Sequence, residues 1–221
     1  MRTIPSVLFA AFALGTASAA SAAGQLSLGF DKLGPSISLS TSETDDYETG
    51  PLYFKDSAGK SFMAFCIEPG QDYATAANGM QSYTVGSFSG DQSKALQGLF
   101  SRHYATLGDA TQQAAFQMAV WEITNETAKT FGVGQGQGIF FFDRLSQGTD
   151  AQNLGFTTLV NSYLDDALSY QGPARYQITR LSSDNFQDLV TVTAVPEPGT
   201  YAMLLAGLGV VGFVARRRQQ R

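Results

Sequence analysis

Ala114-Ala115-Phe116-Gln117-Met118-Ala119-Val120-Trp121-Glu122-Ile123 is the stretch on which the fold turns. It has no Gly or Pro and is rich in good helix formers, so it predicts a helix, with boundaries at residues 111–127. Thr111 is placed to cap it. The apolar positions run all the way round, which marks a buried helix rather than a surface one. Ala114, Gln117, Val120, Trp121 and Thr124 fall on one face at helical spacing. From Ala114 to Trp121 one residue alone is polar, Gln117. A buried amide is costly unless its donors and acceptors are met, so the core must hold a partner for Gln117.

The candidate partner is the single cysteine, Cys66, in Phe65-Cys66-Ile67-Glu68. Two readings of the pair stand side by side. In the plain one, Gln117 is bonded to backbone and Cys66 is a small buried side chain nearby. In the other, the two side chains react with each other. Phe65-Cys66-Ile67-Glu68 and Phe116-Gln117-Met118-Ala119-Val120-Trp121 resemble the two halves of the thioester-domain signature. That signature is an aromatic-Cys-apolar-acid segment followed, some tens of residues on, by an apolar-Gln-x-x-apolar-Trp helix. Here the separation is 51 positions (117 − 66), and the resemblance runs from about residue 62 to residue 168.

Thioester domains are best known from Gram-positive surface adhesins. In them the Cys sulfur and the Gln side-chain carbonyl are joined, and the bond captures amine nucleophiles. The resemblance implies that role for Cys66 and Gln117. Closure needs the fold to hold sulfur against a poorly electrophilic amide. Water must then be kept out, and Phe65, Phe116 and Trp121 are the candidates for cover. Glu68 and Glu122 are candidates to polarise a carbonyl or take a proton. Such capture is a single turnover, not catalysis, so no enzyme activity is expected. His103, the one histidine, leaves a third reading open, a cysteine-dependent hydrolase with His103 as base.

Bulk composition narrows the classes. Residues 23–195 carry 9 Lys+Arg against 18 Asp+Glu, a net charge of 9 − 18 = −9. Nucleic acid is excluded as a partner, because its phosphates need a basic footprint. One His and one Cys exclude the usual zinc constellations, and a lone Cys excludes an internal disulfide. No cofactor or metal is expected. The acidic run at residues 41–48 reads as a solvated loop. Gly132-Val133-Gly134-Gln135-Gly136-Gln137-Gly138 lacks the Lys-Ser/Thr of a phosphate-binding loop.

Alternating patterns predict strands at Leu26–Phe30 and Ile37–Leu39. A hairpin is expected from residues 51–53 and 62–67, around Asp56-Ser57-Ala58-Gly59-Lys60. Further strands are expected at residues 83–88, 139–142, 176–178 and 189–193, with helices at residues 93–106 and 157–169. The fold class is α+β: an antiparallel sheet or sandwich packed against the buried central helix.

The ends carry sorting patterns. Residues 1–22 read as a signal peptide, with Arg2, an apolar run and a small-residue cleavage site. Residues 195–221 hold Pro196-Glu197-Pro198, an apolar stretch at residues 201–215 and Arg216-Arg217-Arg218. The basic cluster fits a positive-inside stop. This arrangement resembles the PEP-CTERM sorting signal of Gram-negative bacteria. It implies an exosortase-type processing protease as a partner and transient inner-membrane anchoring by the C-terminal helix. Residues 23–194 remain as one extracellular domain. The expected function is an exported cell-surface or matrix protein, attached through a Cys66–Gln117 thioester to an extracellular amine or hydroxyl on protein or polysaccharide. A non-covalent structural matrix or envelope protein is the alternative.

Overall fold

The computed structural model describes residues 24–126, 131–196, 206–208 and 216–218. The expected signal peptide and most of the apolar stretch 201–215 lie outside the described residues, as do Glu197 and Pro198. Among the described residues no helix is long and apolar enough to cross a membrane.

Six strands form a closed antiparallel barrel: β1 (Gln25–Leu33), β4 (Leu52–Asp56), β5 (Ser61–Cys66), β9 (Leu189–Ala194), β8 (Tyr176–Ser182) and β6 (Met80–Gly86), in that spatial order. The expected antiparallel sheet is present, but it closes into a barrel and is not a sandwich. The nine-residue β1 pairs with both β4 and β6, and its register shifts between Phe30 and Lys32. Such an irregularity increases twist and bends the strand, which helps the sheet curl onto itself. Closure removes the exposed edges an open sheet would leave. The expected hairpin is β4–β5. Asp56 Oδ1 accepts from the Ala58 and Lys60 amides, and Gly59 takes φ +79° in the turn.

Three further strands form a small antiparallel sheet in the order β3 (Tyr47–Thr49), β2 (Ile37–Thr41), β7 (Phe142–Leu145). β3 begins inside the acidic run expected to be loop, at its C-terminal end. Its three residues pair with Ile37, Ser38 and Leu39, so the run is only partly solvated.

Three α-helices complete the domain: α1 (Gly90–His103), α2 (Ala110–Asn125) and α3 (Asp150–Ser169). α2 is the central helix, and every residue from Gln113 to Ile123 is buried. Its cap is Asp109, whose side chain accepts from the Gln112 amide, and not Thr111. α3 starts seven residues before the expected position, behind a capping box of Thr149 and Gln152. α1 and α3 touch through Gly98, where a Cβ would collide with the Ala167 carbonyl. Phe65, Phe100, Phe116 and Tyr104 form one aromatic cluster between β5 and the helices, with Phe65 and Phe116 centroids 4.7 Å apart.

Candidate functional site

The site begins where a ladder runs out. β5 pairs with β4 as far as Ala64 opposite Leu52, and with β9 as far as Cys66 opposite Leu189. The Ile67 amide donates to the Asp188 carbonyl at 3.0 Å on the β9 side. In an antiparallel ladder alternate residues aim their N–H and C=O to opposite sides. The Cys66 N–H and C=O therefore face the β4 side, two residues past the last β4 pair. No strand backbone is there to meet them.

Gln117 takes that place. Its Oε1 accepts from the Cys66 amide at 3.0 Å, and its Nε2 donates to the Cys66 carbonyl at 2.7 Å. The carboxamide thus stands in for one peptide of the missing strand. A neighbour on α2 fixes the next peptide: Asn125 Nδ2 donates to the Ile67 carbonyl at 2.9 Å, while the Thr124 hydroxyl, 3.3 Å from the same oxygen, has its shorter contact with the Val120 carbonyl at 2.9 Å. The partner required for Gln117 is the backbone of Cys66.

Both side chains are buried, Cys66 at 3% exposure and Gln117 at 1%. Burial pushes the Cys66 thiol far up, so the sulfur is protonated at neutral pH. Beside the pair is a narrow crevice with no room for a water molecule, lined by Tyr47, Leu52, Tyr73 and Trp121 among others. Trp121 stands over it one turn beyond Gln117, and the Tyr47 ring packs 6.1 Å from the indole.

The other sequence candidates separate. Phe65 and Phe116 belong to the aromatic cluster and do not line the crevice. On β5 neighbouring side chains point to opposite faces, which sends Phe65 away from Cys66. Glu68 Oε2 accepts from the Asp188 amide and its carbonyl accepts from Gln187 Nε2, so Glu68 ties the exit of β5 to the approach of β9. Glu122 is fully buried and accepts from the Gly132 amide at 2.8 Å. It serves the glycine-rich loop, and burial raises its carboxyl to about 7. His103 sits against α3, its ring 4.2 Å from that of Tyr163 and Nε2 3.1 Å from Asp166 Oδ2. Burial lowers its basicity, against the pull of Asp166. It does not line the crevice.

Tyr47 is the residue that sequence reasoning missed. The signal was a lone aromatic inside an acidic run, Asp45-Asp46-Tyr47-Glu48. Among the described residues, no group of His, Cys, Asp and Glu is arranged to hold a metal ion.

Residues 194–218 match the PEP-CTERM protein-sorting motif. No curated protein sequence matches the chain. Among solved structures, the chain is similar to the N-terminal domain of the pilus tip adhesin Cpa of Streptococcus pyogenes. Identity is 14% and the TM-score 0.48, covering 81% of this chain and 97% of that one. The N-terminal thioester domain of the fibronectin-binding protein SfbI of the same organism gives 14%, 0.48, and coverage of 79% and 95%. The N-terminal thioester domain of a Clostridium perfringens surface protein gives 13%, 0.45, and coverage of 78% and 100%. Identities this low assign no residue.

Proposed function

We propose that this is an exported surface protein in which Cys66 and Gln117 close an internal thioester, and that the bond attaches the chain covalently to an extracellular amine or hydroxyl. The observation that carries the reading is the seating of the Gln117 carboxamide on the Cys66 backbone, beside a crevice closed to water. The Cys66 N–H already points at the oxygen on which negative charge develops when sulfur attacks, which is the geometry of an oxyanion donor. Closure forms the Cys66 Sγ–Gln117 Cδ bond and breaks the Cδ–Nε2 bond. The thiol proton leaves on the departing ammonia. A thiol that burial holds protonated suits this step, because it brings the proton the nitrogen needs.

The sorting motif supports the export half of the reading. An exosortase-type protease would process the chain near Pro196-Glu197-Pro198 after transient anchoring in the inner membrane, leaving the domain at the cell surface or in the matrix. Protein recovered from the cell exterior should then lack the peptide carrying Arg216–Arg218, and an intact C-terminal peptide there would refute processing.

The non-covalent structural alternative is favoured by one observation, that the same two hydrogen bonds also satisfy the amide as it stands. Intact mass of the secreted protein, with and without methylamine, decides between the two. Loss of one ammonia, followed by gain of one methylamine, is expected. An unchanged mass and a thiol that alkylates fully on unfolding would leave the structural reading in its place.

A further inference from the structure

Two buried donors beside the candidate bond lack a well-formed acceptor. The Tyr47 hydroxyl and the Trp121 indole N–H are both shielded from solvent and without a hydrogen-bond partner. Both residues line the crevice with Cys66 and Gln117, and no water fits there to serve them. Gln187 is the side chain placed to hydrogen-bond the Tyr47 hydroxyl, but the contact is too poorly formed to satisfy it, and Gln187 Oε1 has no other partner. Leaving a buried donor unmet costs about 1–3 kcal/mol, so two in one crevice call for an explanation.

The chemistry of capture supplies one. When an amine opens the thioester, the amine nitrogen must lose a proton and the Cys66 sulfur must gain one. A buried thiolate is a poor leaving group here, because burial strongly favours the protonated sulfur. A group between nitrogen and sulfur that gives one proton while taking another meets both needs. His103 and Glu122 are engaged elsewhere. Glu48 lines both the crevice and an open groove of about 720 Å³ shared with Ile37, Ser38 and Gln152, but its carboxylate is taken up by the Ser36 hydroxyl, from which it accepts at 2.7 Å. The Trp121 N–H can donate a hydrogen bond but cannot cycle a proton at ordinary pH. Tyr47 can do both; it sits on β3, whose residues line both groove and crevice, and its hydroxyl, unlike that of Tyr73 on the same crevice, is buried without a well-formed acceptor.

We propose that the Tyr47 hydroxyl carries the proton from the incoming amine to the Cys66 sulfur as the thioester is opened. The proposal rests on the thioester reading. In the step, the nitrogen–Cδ bond forms and the Sγ–Cδ bond breaks. Tyr47 gives its proton to sulfur, takes one from nitrogen, and ends unchanged. Trp121 Nε1–H is the second donor available to the charge that develops.

The test is Tyr47→Phe in the full secreted chain, which keeps the ring packed on Trp121 and removes only the hydroxyl. Intact mass should show the same ammonia loss as wild type. Methylamine capture should slow by about a hundredfold, the usual scale for loss of a proton-transfer group. Across a series of amines the rate should depend more steeply on amine basicity than in wild type, which loss of packing alone would not produce. Tyr163→Phe is the control: Tyr163 packs on His103, does not line the crevice and does not interact with Cys66, and capture should run at the wild-type rate. Normal capture by Tyr47→Phe overturns the proposal and leaves the thioester reading standing. So does a Tyr47→Phe chain that folds but never loses ammonia, since the hydroxyl would then act in closure. A wild type that never loses ammonia ends both readings.

Discussion

Gln117 and Glu122 stand five residues apart on α2, and both are buried. They meet the cost of burial in opposite ways. Gln117 is neutral, donates and accepts, and fits into a β-ladder as if it were a peptide. Glu122 can only accept when ionised. It receives one bond from the Gly132 amide, and its Oε2 is left without a partner. Five residues turn a helix by about 140°, so the two side chains cannot share a site. A buried amide can therefore be held against a strand backbone without charge strain. A buried carboxylate a turn and a half away is used instead to hold a loop, and its protonation is displaced.

The largest expected effect breaks the first half of that contrast. Gln117→Ala leaves the Cys66 N–H and C=O buried and unpaired, and should destabilise the domain by roughly 2–6 kcal/mol in urea or thermal unfolding. Gln117→Glu sharpens it. An ionised carboxylate would oppose the Cys66 carbonyl, whereas a protonated acid can donate to that carbonyl and accept from the amide as Gln does. The Glu variant should therefore gain stability relative to wild type as pH falls. An alanine variant as stable as wild type would show that the two bonds contribute nothing.

Next in size is Glu122→Gln. Burial raises the Glu122 carboxyl from 4.5 to about 7, so the folded state binds this proton more tightly than the unfolded state does. The favourable contribution is complete below pH 4.5 and is lost as pH rises to about 7. Glu122→Gln keeps an acceptor for the Gly132 amide and removes the charge. Above pH 7 it should be more stable than wild type by about 3 kcal/mol, with no advantage at low pH. A difference between the two proteins that does not vary from pH 4 to 8 would show that Glu122 does not titrate in this window.

The two residues also show how far the sequence could be read. Periodicity located α2, and the single polar position on its core face picked out Gln117, because that information is local. Cys66 followed as the one unusual side chain in a strand. That Glu122 turns away was implicit in helical geometry, but adjacency to Trp121 obscured it. Barrel closure depends on β1 pairing with β6 and β5 with β9, partners more than fifty residues apart for β1 and over a hundred for β5, which alternation does not encode. β3 was hidden by its composition. Asp, Glu and Thr read as solvated loop, yet pairing with β2 carries Tyr47 into the wall of the crevice. The plain reading of Gln117 as bonded to backbone was right about the bonds, and the backbone proved to be that of Cys66 itself.

The smallest effect tests whether the two regions of α2 are independent. Asp109 Oδ1 accepts from the Gln112 amide at 2.8 Å, whereas Thr111, the cap expected from sequence, lies inside the helix. Asp109→Ala should cost about 1 kcal/mol, the usual price of a lost cap, and Thr111→Ala should cost far less, since it removes no capping bond. The cap lies ahead of both Gln117 and Glu122 and touches neither. Its loss should lower stability equally at every pH across the Glu122 window and leave the rate of amine capture unchanged. Thermal unfolding of both variants at pH 5 and pH 8, with capture measured on the folded protein, checks each part. If Asp109→Ala slows capture or alters the pH dependence, the first turn of α2 is coupled to the Cys66 ladder or to the glycine-rich loop. The two buried groups would then have to be treated as one unit.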